Sequence, residues 1–219
     1  MQELIGQPYI IETKADATGL LASDYVARAS ADGYTVLASS NAFYQNPAIL
    51  KSMPFDTVQA FAGVTMLAQA PVLLVVNSQV PAKNLPELIS YAKSNPGKLT
   101  FASGGIGAST HIAGVLFNIS ASTDIVHVPY KSSGPALNDL LGGHVTMQFG
   151  GISSAKPHVE SGALRAMALT GTKRDPGMPD VPTFQELGVS VDILSVWSRH
   201  VPASTPSRWA GSFAMCMFR

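Results

Sequence analysis

The segment Ala102-Ser103-Gly104-Gly105-Ile106-Gly107-Ala108-Ser109-Thr110-His111 gathers glycines, hydroxyls and one imidazole into a short stretch. It follows an apolar run and opens a helical pattern. It therefore reads as the turn from the carboxyl end of a strand into a helix, where α/β proteins bind ligands. Glycines let a ligand approach the backbone, and the unpaired N–H groups of a first helical turn carry partial positive charge. The chemistry open to such a loop is holding an anion. No Lys or Arg lies in it, which favours a carboxylate held by neutral donors over a polyphosphate. A tight turn with a serine cap and no ligand has the same composition, and the residues alone leave both readings open.

Enzyme signatures are poor. The loop lacks the Gly-Lys-Ser/Thr ending of a P-loop. Gly105-Ile106-Gly107 begins like a dinucleotide fingerprint, but the acid at the right distance, Asp124, starts its strand instead of ending it. The histidines at 111, 127, 144, 158 and 200 never take the i, i+4 spacing of a helical metal pair, and no Gly-x-Ser-x-Gly elbow occurs. Ser109 and His111, two apart on a helix, face different directions. No catalytic residue, metal ligand or cofactor is expected. Ser39-Ser40-Asn41 also leaves a strand, and reads either as a second cleft-facing corner or as a polar turn. Lys131, after the strand ending near Tyr130, and Gly150-Gly151 carry the same ambiguity.

The elements that must position these residues alternate between strand and helix. Strands are expected at 9–13, 34–40, 63–69, 71–77, 98–103, 124–130, 145–150, 164–170 and 190–197. Several are apolar throughout, as strands covered on both faces are, so the fold class is α/β with mostly parallel sheets flanked by helices. Asn84 and Glu87 form a capping pair before a stripe of Leu85, Leu88, Ile89 and Ala92, ended by Pro96-Gly97. A second helix runs from Ser133 to Leu141, with apolar positions 136, 137, 140 and 141, and stops at Gly142-Gly143. A third starts at Ser109 with Ile112, Val115, Leu116 and Ile119 on one face. Strands 63–69 and 71–77 follow one another with no helix between them. That suits a chain crossing between two lobes, about 1–68 and 72–192, with a return near 190–197 and an atypical tail at 193–219.

The 219 residues are 46% hydrophobic and 13% charged, with 14 basic and 14 acidic side chains and one cysteine. Low charge excludes a disordered or coiled-coil chain. The single Cys216 excludes an internal disulfide framework or thiolate metal cluster. No basic stripe offers itself to nucleic acid, and no apolar run reaches the ~18–20 residues of a membrane span. The opening Met1-Gln2-Glu3-Leu4-Ile5-Gly6 has neither the basic nor the apolar region of a signal peptide.

A set of ordered stretches resembles the Bug family, the TctC-like solute receptors of tripartite tricarboxylate transporters. They are Asp32-Gly33-Tyr34-Thr35, Asn46-Pro47-Ala48-Ile49-Leu50, Leu74-Val75-Val76-Asn77, Lys98-Leu99-Thr100-Phe101-Ala102-Ser103 and His127-Val128-Pro129-Tyr130-Lys131. Gly134-Pro135-Ala136-Leu137, Asp139-Leu140-Leu141-Gly142-Gly143 and Pro179-Asp180-Val181-Pro182-Thr183 continue the order. The resemblance covers roughly residues 3–197. It implies a two-lobed periplasmic-binding-protein fold with a hinge, closing on a small carboxylated solute that is then delivered to membrane permease subunits. It implies a periplasmic location, although this chain shows no signal peptide. It places Ser103, Gly104, Gly105, Gly107, Ala108, Ser109, Thr110 and His111 in the second-lobe binding loop, and Ser39, Ser40 and Asn41 in the first-lobe loop.

Departures from the family pattern carry expectations of their own. The chain opens past the first strand, glycine loop and helix, a β/α unit of roughly 30 residues, and leaves the pattern after Trp197, as a receptor truncated at both ends would. Gly150-Gly151 stands where the family shows an acid or Asn, which changes ligand preference. Two other readings stand beside the receptor: a small α/β enzyme using a nucleotide or a serine nucleophile, and a fragment of the receptor that binds nothing.

Overall fold

Five buried apolar or amide residues in a row, Leu73–Asn77, form a strand that only a two-sided core can hold. In the computed structural model, which describes residues 8–207 other than 15 and 17, this strand lies inside a five-stranded sheet. The chain divides into two units. One runs from Ala70 to Ser195, and the other comprises the residues up to Gln69 together with those from Val196 onward.

In the Ala70–Ser195 unit the strands are β3 (Leu73–Asn77), β4 (Thr100–Ser103), β5 (Val126–Pro129), β6 (Met147–Gly150) and β7 (Leu164–Leu169). Their order across the sheet is β5-β4-β6-β3-β7. β4 pairs parallel with β5 and β6, whereas β3 runs antiparallel to both its neighbours. Four strands thus share one direction and β3 is reversed, as the mostly parallel reading requires. The helices α3 (Leu85–Ser94), α4 (Ser109–Ala121), α5 (Ser133–Leu141) and α6 (Ile152–Glu160) lie between them in sequence. α3 starts as its residues dictate: the Glu87 N–H donates to Asn84 Oδ1 at 2.9 Å, and Glu87 Oε2 accepts from the Lys83 N–H at 2.8 Å. Leu85, Leu88 and Ala92 are its buried face. α5 buries Ala136 and Leu140 and ends at Gly142.

α4 does not present the expected stripe to the core. Its buried residues are Ser109, Thr110, Ala113, Gly114, Phe117 and Ala121, while Ile119 is 71% exposed. Gly114 explains the choice. A Cβ at that position would collide with the buried Phe101 ring of β4, so the helix comes closest to that ring at Gly114 while Phe117 fills the core beside Phe149 and Phe184.

In the other unit α1 (Leu20–Ala27), β1 (Leu37–Ser40), α2 (Asn41–Ile49), β2 (Phe61–Pro71) and β8 (Leu194–Pro202) follow in sequence. β2 carries the chain out past Gln69 and β8 brings it back at Val196. The sheet order is β1-β8-β2, with β1 antiparallel to β8, Leu37 opposite His200 and Ser40 opposite Trp197. The pairing of β1 with β8 therefore differs from the mostly parallel arrangement of the Ala70–Ser195 sheet. Val26, Leu37, Phe43 and Phe61 form the core here. Residues 9–13 are not the expected strand. Ile10 and Ile11 are 82% and 83% exposed, and among the described residues no strand lies against this run for its β-branched side chains to pack on.

Candidate functional site

β4 ends at Ser103 and α4 begins at Ser109, so the glycine segment spans the carboxyl end of a sheet strand and a helix N-terminus. Gly105 and Gly107 take φ values of 131° and 79°, a backbone region that favours glycine and lets the chain double back into the helix. Ile106 is the exposed tip between them.

Much of the loop's donor capacity is engaged internally, which the sequence did not show. The Gly104 N–H donates to Thr110 Oγ1 at 3.0 Å, the Gly105 N–H to Ser103 Oγ at 3.3 Å, and the Gly107 N–H to His111 Nδ1 at 3.2 Å. Ser103 is fully buried, and its hydroxyl also lies 2.7 Å from His127 Nε2. At the helix start the N-cap is Ala108, which has no side chain to cap with. The N–H groups of His111 and Ile112 both reach the Ala108 carbonyl, at 2.9 and 3.1 Å. Among the described residues the N–H groups of Ser109 and Thr110 have no acceptor. Ser109 Oγ lies 2.6 Å from Ser195 Oγ. The helix therefore offers two free amides beside a hydroxyl pair, with no charged side chain in the loop.

Three rings stand behind the loop. Phe101 and His127 face each other in parallel register on β4 and β5, with ring centroids 4.7 Å apart. His111 stacks on the far side of His127 at 4.2 Å. Because His111 Nδ1 accepts from Gly107, its ring proton sits on Nε2 and the imidazole is neutral. Burial holds its pKa below the usual histidine range. His127 is pushed down to about 4, first by burial and then by the charge that His111 would carry.

Residues 1–214 match the sequence profile of the tripartite tricarboxylate transporter family receptor. The chain belongs to this receptor family. The match runs beyond Trp197, and β8 continues through Ser198, Arg199 and His200 to Pro202. The expected break from the family at Trp197 is thereby overturned. Protein BugT of Bordetella pertussis is 34% identical over 199 residues, which are 90% of this chain and 61% of the relative. A UPF0065 protein of Pseudomonas sp. strain P51, from the tcbD-tcbE intergenic region, is 33% identical over 208 residues, 94% of this chain and 62% of the relative. The chain thus spans about three fifths of the length of these curated relatives. Among solved structures, Rpa4515 of R. palustris with adipate is 31% identical with a TM-score of 0.92, covering 99% of this chain and 73% of that one. MatC from Rhodopseudomonas palustris with bound malate is 30% identical with a TM-score of 0.89, covering 99% and 74%.

In this member of the receptor family the other predicted residues, Ser39, Ser40 and Asn41, sit where β1 runs directly into α2, with Ser40 as N-cap. Ser39 Oγ lies 3.2 Å from both Ser198 Oγ and His200 Nδ1, and Asn41 Oδ1 accepts from the Val196 N–H at 2.6 Å. Tyr44 Oη completes the group, 2.9 Å from Ser198 Oγ and from His200 Nε2. Sequence reasoning missed Ser195, Ser198, His200, Tyr44 and the loop-facing part of His127. His127 had a signal, since it stands within a family stretch, but only strand register brings it beside Ser103. No helix among the described residues is long and apolar enough to cross a membrane.

Proposed function

We propose that this chain captures a small carboxylate-bearing metabolite in the periplasm and delivers it, unchanged, to the membrane permease subunits of a tripartite tricarboxylate transporter. The observation that carries this reading is the uncapped start of α4, where the Ser109 and Thr110 N–H groups lack acceptors beside the Ser109 hydroxyl. A carboxylate oxygen is the guest for which two amides at a positive helix end are suited. Membership of the receptor family, and the adipate and malate in the related solved structures, support the same chemistry.

Each loop residue then has a part. Ser109 and Thr110 supply the amides and Ser109 a hydroxyl. Gly104, Gly105 and Gly107 let the backbone come close. Ala108 leaves the helix end uncapped, and Ser103 and His111 brace the loop through Gly105 and Gly107. Ser39, Ser40 and Asn41 are proposed as solute contacts on family resemblance.

Thermal unfolding with millimolar malate, adipate, citrate, glutamate, nicotinate and terephthalate tests this. Ligand at 100 times its Kd adds about 2.7 kcal/mol, a midpoint rise of several degrees. The expected result is a shift with at least one acid that is lost in the Ser109→Ala, Thr110→Ala double variant. A sharp melt that none of the acids moves counts against the reading.

A further inference from the structure

The stacked histidines are not needed to build a helix N-terminus, yet they join both ends of the loop. His127 reaches Ser103 at its beginning, and His111, lying on His127, receives the Gly107 N–H near its end. We propose that His127 is a positioning residue for the loop, whose Nε2 sets the direction of the Ser103 hydroxyl proton and so links anion capture to uptake of a proton. This inference rests on the carboxylate reading of the loop.

The argument is one of donors and acceptors. With Nε2 bare, Ser103 donates its proton to His127, and its lone pairs are left to accept the Gly105 N–H, 3.3 Å away. With His127 protonated, Nε2–H donates to Ser103 Oγ. The hydroxyl proton must then turn elsewhere, and the Gly105 carbonyl, also 3.3 Å from Oγ, is the acceptor at hand. Protonation thus reorganises the hydrogen bonds at Gly105 and places a positive charge behind the loop. The positive charge is worth more with a carboxylate present than without one. Binding and proton uptake must therefore favour each other reciprocally.

The surroundings of His127 leave few rival charges. β4 faces it with Phe101 and Ser103, neither charged near neutral pH, and α4 faces it with His111. Among the described residues it is the charge of His111 that acts on it, and that charge opposes its protonation. In the absence of an anion the pair is held neutral, with His127 at about 4. The site is accordingly set to take up a proton only when a negative charge arrives.

Calorimetric titration of the whole chain with malate and with adipate, from pH 7 to 5 and in buffers of different ionisation heat, tests this in the wild type, His127→Gln and His127→Phe. Gln keeps a hydrogen-bonding group for Ser103 but cannot titrate. Phe keeps the ring stack but offers Ser103 nothing. Each acid's own titration is common to all three proteins, so it cancels in the comparison. The expected result is a gain in wild-type affinity of roughly three- to ten-fold relative to His127→Gln as pH falls from 7 to 5, with fewer protons taken up by the variant. His127→Gln should match the wild type within about three-fold at pH 7, while His127→Phe should bind more weakly at both pH values. Normal binding with the same pH profile and proton uptake in all three proteins would overturn the inference and leave the receptor reading intact. Absence of binding to any of the six acids of the unfolding test, at any pH, by a folded wild type would overturn both.

Discussion

The chain turns from strand to helix through serine-bearing residues at two places, and the two corners are built differently. At Ser39-Ser40-Asn41 the strand enters the helix with no loop, and the polar side chains are drawn to β8 through Ser198, His200 and the Val196 N–H. At 103–109 a glycine-bearing loop separates strand from helix, and Ala108 leaves the first amides of α4 uncapped. A direct corner fixes its polar groups through the neighbouring strand. A looped corner engages its own glycine amides, through Ser103, Thr110 and His111; neither helix start has a side-chain cap. The difference shows that serines at a strand-to-helix corner can be held either by a neighbouring strand or by the corner's own loop.

The contrast can be broken most severely at its packing. Phe43→Ala removes the ring that lies against Phe61, Tyr44 and His200, and should cost about 3–5 kcal/mol. Hydrogen exchange followed by peptide should locate the loss at the β1–α2 corner, with loop 103–109 unchanged. Gly114→Ala is the counterpart in the other unit. Alanine is the better helix former, but its methyl group meets the Phe101 ring, so a net loss of about 1–3 kcal/mol is expected in urea unfolding. Asn41→Ala leaves the Val196 N–H without its side-chain acceptor and should cost about 1–2 kcal/mol, whereas Ser109→Ala removes a hydroxyl contact but no amide and should cost less.

The smallest effect is on pH dependence. His127 binds its proton near 4 when folded and near 6.5 when unfolded, so between those values the unfolded chain holds more protons. Stability should therefore fall as pH drops from about 6.5 to about 4. His111 and His200, whose pKa values burial also lowers, act in the same direction. Urea midpoints at pH 7, 5.5 and 4.5 check this, and His127→Gln should flatten part of the slope.

What the sequence revealed was local. The Asn84–Glu87 cap and the Ser133–Leu141 helix each follow from neighbouring residues and stand as read, and the apolar strand expected at 71–77 is present from Leu73 to Asn77. What it concealed depended on partners distant in the chain. The buried face of α4 was chosen by Phe101, eight positions before the helix, and apolar periodicity pointed instead to Ile112 and Ile119. The Tyr9–Thr13 run had β-branched residues but, among the described residues, no strand to pair with. The glycine loop was legible as a strand-to-helix turn because its composition demands one. That three of its amides are taken by Ser103, Thr110 and His111 depended on side-chain directions that composition does not encode.

The most direct measurement is the backbone amide spectrum of the chain titrated with malate or adipate. If the start of α4 holds the carboxylate, the Ser109 and Thr110 amide protons should move downfield first and furthest, with Gly105 and Gly107 following as the loop adjusts. Saturable binding that left Ser109 and Thr110 in place and shifted only residues elsewhere would contradict the assignment.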